Sequence, residues 1–420
     1  MSDQELQHEA LISQLKDHLT RACYSEAVIT QEASAARCFL RYLRQRQIDF
    51  ETVQPAHVGM YLRYGLRRYV RRRGHAPRCL VDWRSHHTSG IYQLLRLIKG
   101  GWPPSPPPRN PFEAFSQALC AEFTQWLDLE RGLAPETIEG SVAEAQRFLS
   151  WYGERAAPDT LQTLGITDID AYVQARAPGL RRVSRKGLAQ QLRRFMRFAH
   201  ATGRTSRDFA GAVMAPTLYA LESIPSALSP QQVEAVLQTC RADHSPKALR
   251  DYAIVLLLAT YGVRAGEIAR LRLEDVDWSA DRLRVRHSKT GAQSLLPLLP
   301  AVGRALLAYL RRGRPRTQAR EFFIRAHAPY RGFRSGSSLY GPIRARLEAA
   351  GVQSSGKRGP HAFRHARAMS LLRAGVAPKV IGDLLGHRSA ASVTAYLKLS
   401  TDELREVALE IGELLEGGVK

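Results

Sequence analysis

Apolar residues recur along most of this chain at three- and four-residue spacing, the period of helices that bury one face. Residues 37–42 (RCFLRY) are followed by a loop and then 58–62 (VGMYL). Residues 146–151 (QRFLSW) are followed by a loop and then 169–173 (IDAYV). Phe39 matches Phe148 and Tyr61 matches Tyr172 at nearly constant separation, which suggests a duplicated helical domain of four or five helices in each copy. A third stretch begins with helical patterning over 231–238 and 249–260. The period then shortens: residues 282–287 alternate apolar and basic side chains, Thr290-Gly291 marks a turn, and 294–299 returns, which predicts a hairpin. Helical patterning resumes over 302–311, 339–350, 361–374, 378–384, 391–397 and 401–415. The expected fold is mainly α with a small antiparallel β-sheet.

Residues 102–111 (WPPSPPPRNP) carry six prolines in ten positions. Such a run cannot continue a helix or enter a central strand, and favours an extended spacer. A second break falls near 203–230, where Ser229-Pro230 offers a cap followed by proline at the first helical position. The expected organisation is an N-terminal helical domain at 1–102, a linker at 103–111 and a second helical domain at 112–215. A linker at 216–228 then leads to a third domain at 229–420. A chain of 420 residues suits two or three domains.

Composition narrows the partner. The 44% hydrophobic and 24% charged content is that of a globular protein, and no apolar run approaches the ~20 residues that span a bilayer. Residues 1–19 do not form a signal-peptide core, so a cytoplasmic protein is expected. The five cysteines are scattered and lack CxxC spacing, so a buried-thiol role is expected, with neither a metal site nor a disulfide framework. A formal net charge of +22 attracts polyanions, nucleic acid first. The arginines are spread along the chain instead of gathering on one amphipathic segment, which argues against a membrane surface.

The C-terminal third carries candidate chemistry: GVRAGEI at 262–268, HSKTG at 287–291, HAFRH at 361–365, LGHRS at 385–389 and TAYLK at 394–398. Attack on a phosphodiester needs fixed cations on the nonbridging oxygens, a nucleophile and a proton donor. Arg264 and Arg364, from separate segments, suit a bidentate clamp. Glu267, one turn after Arg264, is placed to orient it. Tyr396 is the candidate nucleophile, and Lys289 at the hairpin turn is the candidate proton donor to a leaving 5′ oxygen. His361 suits deprotonation of the phenol and His387 a hydrogen bond to a nonbridging oxygen.

In order and spacing these boxes resemble the tyrosine recombinases of the phage-integrase family. The family pattern is an Arg box with a nearby Glu, a hairpin Lys, an H-x-L-R-H box, an LGH box and a Tyr about nine residues later. Phe363 in place of Leu is the only departure within the H-x-L-R-H box, and His365 completes that box. The resemblance implies a 3′-phosphotyrosyl intermediate, strand exchange through a Holliday junction, and no metal or nucleotide cofactor. It also implies double-stranded DNA as partner and a homo-tetramer on two sites, with accessory recombinases or DNA-bending proteins as further candidates. More weakly, 112–212 resembles the family's helical core-binding domain. Residues 1–102 exceed that two-domain plan, as in transposon-encoded integrases that carry extra N-terminal sequence, and their internal likeness to 112–200 suggests a second helical DNA-binding module.

Two basic stretches are candidate DNA surfaces: Arg67, Arg68, Arg71 and Arg72 in the first domain, and Arg181, Arg182, Arg185, Lys186, Arg193 and Arg194 in the second. The C-terminal segment 401–415 has enough apolar residues to pack on its own domain or on a neighbour. Two rival readings remain at this stage: a type IB topoisomerase, which uses a similar residue set to relax strands, and a noncatalytic DNA-binding or architectural protein.

Overall fold

A computed structural model of the chain describes residues 3–104, 106–156, 161–218, 227–287, 291–352 and 359–386. It separates into two compact units, Met1–Pro103 with Ser223–Lys420, and Pro104–Glu222. The described residues are mostly helical, with one three-stranded antiparallel sheet.

The N-terminal residues form four helices: α1 (Asp3–Arg21), α2 (Glu26–Gln45), α3 (Pro55–Arg73) and α4 (Leu80–Lys99). Leu15, Phe39, Leu43, Ile91 and Leu94 make their buried core, and Trp102 closes one end of it. Helices α2 and α4 approach so closely at Gly90 that an added Cβ would lie 2.1 Å from the Glu32 carbonyl oxygen. Only glycine allows that contact.

The second unit repeats the plan with α5 (Pro111–Gln125), α6 (Pro135–Tyr152), α7 (Ile166–Arg176) and α8 (Arg182–Ala201). Pro111, expected at the end of the linker, is instead the first residue of α5, because the Asn110 side chain accepts the Glu113 N–H at 2.8 Å and caps the helix there. The matched aromatic pairs share one geometry. Phe39 meets Tyr61 edge-on at 5.3 Å, and Phe148 meets Tyr172 edge-on at 5.1 Å. Tyr42 on Tyr61 (5.4 Å, 63°) likewise parallels Trp151 on Tyr172 (5.3 Å, 61°). In the second unit the buried Glu144 carboxylate accepts the Tyr172 hydroxyl at 2.6 Å and Arg147 at 2.8 Å.

In the third segment α9 (Pro230–Ala242) opens with a capping box in which Ser229 and Gln232 satisfy each other's backbone N–H groups. Then come α10 (Pro246–Tyr261), a short α11 (Ala265–Ala269) and strands β1 (Val276–Asp277), β2 (Arg282–Arg286) and β3 (Gln293–Pro297). Helices α12 (Pro300–Ala308), α13 (Tyr340–Ala349), α14 (Pro360–Arg373) and α15 (Pro378–Leu384) follow. The register pairs Leu283 with Leu296 and Val285 with Ser294, and Leu283, Val285 and Leu296 are buried. Ile254, Leu258, Leu306, Phe322 and Phe363 fill the core beneath. Next to it, the fully buried Asp251 accepts from Arg250 at 2.7 Å and from Arg346 at 3.0 Å, joining α10 to α13.

The thiols depart from the sequence expectation. Cys120 and Cys240 are buried, and burial pushes each up to about 11. Cys23, Cys38 and Cys79 are exposed. Cys23 adopts a left-handed turn after α1 and Cys79 caps α4, positions set by chain geometry and not by packing. Among the described residues no group of His, Cys, Asp and Glu is arranged to hold a metal, and no helix is long and apolar enough to cross a membrane.

Candidate active site

Helix α10 ends at Gly262, whose φ of +63° turns the chain and aims its carbonyl toward α14. Arg364, on the second turn of α14, donates from Nη1 to that carbonyl at 2.7 Å and from Nη2 to the Leu385 carbonyl. Two residues beyond Gly262, Arg264 is extended and precedes α11. Its Nη2 donates to the Gly386 carbonyl at 2.8 Å. Arg264 and Arg364 therefore come from separate segments onto adjacent carbonyls at the C-terminal end of α15. Terminal helix carbonyls lack partners within the helix and carry partial negative charge, so two guanidiniums gathered there are stabilised.

Glu267 fixes the first of these arginines. Its Oε2 accepts the Arg264 backbone N–H at 2.7 Å, and its Oε1 accepts Arg264 Nη1 at 2.8 Å. Oε1 also lies 2.8 Å from His287 Nδ1. Burial alone would raise the Glu267 carboxyl, but the hydrogen bonds from His287 and from the Arg264 amide and guanidinium outweigh it, leaving it below its ordinary value. An ionised carboxylate only accepts, so His287 carries a proton on Nδ1. His287 Nε2 meets the Ser294 hydroxyl at 2.7 Å on the opposing strand. The chain Ser294, His287, Glu267, Arg264 thus ties the β2–β3 hairpin to the guanidinium cluster.

Gly386 completes the packing. Its φ is +61°, and a Cβ there would lie 2.7 Å from His287 Cε1. The LGH box therefore requires glycine twice over, for the backbone turn and for the imidazole against it.

His361 and His365, on the first two turns of α14, are partly exposed. The His361 ring lies 6.4 Å from that of Tyr340. Phe363 is fully buried in the core, so the Leu-to-Phe departure in this box is absorbed by packing. Lys289, His387, Tyr396 and the segment 401–415 lie outside the described residues.

Of the basic positions, Arg67, Arg68, Arg71 and Arg72 are exposed on α3. At the start of α8, Arg181, Arg182 and Arg185 are exposed and Lys186 is half-buried. Arg193 and Arg194 are half-buried and bonded within their own unit: Arg193 to the Val213 carbonyl at 2.8 Å, Arg194 to Ser141 at 3.3 Å. Burial, with Arg197 and Arg131 nearby, lowers Arg194. Arg197, not singled out in the sequence, is exposed.

Sequence reasoning missed His287. The signal was present: alternation along 282–287 puts it on the same inward face as Leu283 and Val285, and a polar residue on a buried face needs partners. It passed as the end of an amphipathic strand.

A mainly helical domain with a small sheet thus sets Arg264 and Arg364 side by side on adjacent carbonyls, with a buried carboxylate bracing Arg264. Residues 226–403 match the Phage integrase family. The chain is 34% identical to the integrase/recombinase y4rA of Sinorhizobium fredii over 88% of its own length and 86% of that protein's. It is 31% identical to the tyrosine recombinase XerD of Mycobacterium tuberculosis, over 69% of this chain and 97% of XerD. A solved lambda integrase tetramer bound to a Holliday junction shares the fold with a TM-score of 0.51 at 19% identity, over 77% of this chain and 87% of that one. The chain belongs to the phage-integrase family of tyrosine recombinases, enzymes that break and rejoin DNA.

Proposed function

We infer that the chain is a site-specific recombinase that cleaves DNA through Tyr396 and exchanges strands by way of a 3′-phosphotyrosyl link. The observation that carries this reading is the convergence of Arg264 and Arg364 on the adjacent Leu385 and Gly386 carbonyls, with Glu267 bracing Arg264. Two planar guanidiniums side by side suit the two nonbridging oxygens of one phosphodiester, and they favour the charge that builds there in the transition state.

In the proposed step the Tyr396 phenol oxygen bonds to phosphorus as the bond to the 5′ oxygen breaks. His361 takes the phenol proton, Lys289 gives a proton to the departing 5′ oxygen, and His387 hydrogen-bonds a nonbridging oxygen. A 5′ hydroxyl from the partner duplex then attacks the same phosphorus and releases Tyr396. Two such rounds pass through a Holliday junction. The phosphate ester is conserved throughout, so the scheme balances without a nucleotide or metal.

Exchange between two duplexes calls for a homo-tetramer on double-stranded DNA, as in the lambda integrase assembly, with the segment 401–415 packing in cis or in trans. The exposed cations at the start of α8 support phosphate contacts that position the duplex. Accessory recombinases or DNA-bending proteins, and a location on the cytoplasmic nucleoid, fit the same scheme.

The test is a plasmid carrying two copies of DNA from the flanks of the protein's own coding sequence. The reading expects deletion or inversion between the copies with the parent chain and none with Tyr396→Phe. Supercoil relaxation without exchange of segments would replace recombination with topoisomerase action.

A further inference from the structure

The two helical repeats carry equivalent cavities, and the two differ in charge. In the second unit a cavity of about 520 Å³ opens between α6 and α7, lined by Arg147, Ser150, Trp151, Tyr172 and Arg176. In the N-terminal repeat a cavity of about 730 Å³ opens at the matching place between α2 and α3. With Phe39 set on Phe148 and Tyr61 on Tyr172, its lining residues Cys38, Arg41, Tyr42, Tyr61 and Gly65 take the places of those five.

The counter-charge does not carry over. In the second unit the buried Glu144 lies 2.8 Å from Arg147 and 3.8 Å from Arg176 and offsets part of the charge of that cavity. The same register puts Ala35 where Glu144 stands. The N-terminal cavity gains cations instead, because α3 runs for 19 residues where α7 has 11, and the extra turns add Arg68, Arg72 and Arg73 to its wall. No acid lines it. Among the described residues Arg41, Arg68, Arg72 and Arg73 make no ion pair or side-chain hydrogen bond. The far wall is Trp83, stacked on His87 at 4.2 Å, with its indole N–H buried and unpartnered.

Arg68, Arg72 and Arg73 crowd one concave surface and repel one another, and Arg41 joins them while also bordering a second cavity that holds Glu5 and Glu9. Arg68 and Arg72 stand one helical turn apart, about 6 Å along the axis, so they meet charges that repeat along a chain better than a single small anion. Arginine, whose planar fork matches phosphate oxygens, is the side chain suited to a nucleic-acid backbone.

We propose that the cavity bounded by α2, α3 and α4 is a second DNA-contact site, which grips the phosphate backbone of duplex DNA through Arg41, Arg68, Arg72 and Arg73. The site rests on the chain's acting on DNA, but not on Tyr396 chemistry. It assigns different work to cations on one helix, since Arg68 and Arg72 line the cavity whereas Arg67 and Arg71 do not.

The experiment uses the full chain and a labelled 40-base-pair duplex of arbitrary sequence, with binding read by anisotropy across a salt series. Reading noncovalent binding keeps its outcome separate from that of the recombination assay. Arg68→Ala/Arg72→Ala is expected to lower the slope of log affinity against log salt by about two, at roughly 0.9 per phosphate contact. Arg67→Ala/Arg71→Ala removes the same charge from the same helix and is expected to change the slope by less than half as much. Equal effects from the two pairs, or no effect from Arg68→Ala/Arg72→Ala, would overturn the proposal. So would unchanged duplex binding accompanied by lost binding to phosphatidylserine vesicles, which would make the cavity a membrane contact. Both pairs are exposed arginines, and matching circular-dichroism melts confirm that folding is preserved.

Discussion

Replacing Glu267 by Gln tests how the arginine cluster is held. The carboxylate is 4% exposed and satisfies three donors: the Arg264 amide at 2.7 Å, Arg264 Nη1 at 2.8 Å and His287 Nδ1 at 2.8 Å. A Gln side chain keeps one accepting oxygen and turns an NH2 group toward the other position, so at least one of the three donors loses its partner and faces a like group instead. Each hydrogen bond to a charged group contributes about 1.5–3 kcal/mol, and breaking a buried ion pair costs about 3–5 kcal/mol. A loss of about 3 kcal/mol is expected in urea unfolding, read by hydrogen exchange in peptides covering α10 and α14.

The loss also has a pH signature. The Glu267 carboxyl lies below its ordinary value in the folded chain, so its contribution is complete above the unfolded carboxyl range of about 4.3 and disappears as pH falls through the lower folded value. The parent chain and Glu267→Gln should therefore differ fully at pH 7 and converge as the pH falls through the lowered folded value. Equal urea midpoints at pH 7, or a gap that widens on acidification, would refute the bracing role.

Gly386→Ala forces a left-handed residue to accept a Cβ 2.7 Å from His287. The backbone alone costs about 1–2 kcal/mol, and displacement of the imidazole adds to it, so a thermal-stability drop should appear together with lost cleavage. Asp251→Ala leaves Arg250 and Arg346 without their shared carboxylate, and urea unfolding should show about 3–5 kcal/mol of destabilisation. Thiol titration with a disulfide reagent at pH 8 should give three fast equivalents from Cys23, Cys38 and Cys79. Cys120 and Cys240, buried and pushed up to about 11, should react only on unfolding.

Local patterning carried much of the architecture. The Ser229 cap, α15 and the hairpin all follow from turn chemistry and from periods of 3.6 and 2, and the Phe39/Phe148 match in the sequence reappears as one ring geometry in two places. The paired arginines were legible as residue types, because phosphate chemistry demands them. Their anchors were not. The Gly262, Leu385 and Gly386 carbonyls belong to every residue alike, so no side-chain pattern marks them, and they lie more than a hundred positions from Arg364 or Arg264 in two of the three bonds. His287 was visible only by asking what satisfies a polar residue on an inward strand face. The missing counter-charge at Ala35 became meaningful only once the two cavities could be laid on each other.

The most direct test of the central claim is a nicked duplex built from the flanking DNA, arranged so that the cleaved 5′ fragment diffuses away and traps any covalent complex. Digestion and mass spectrometry of the trapped complex should show the 3′ phosphate on the peptide containing Tyr396, and no complex with Tyr396→Phe. An adduct on another residue, or one that survives Tyr396→Phe, would contradict the account.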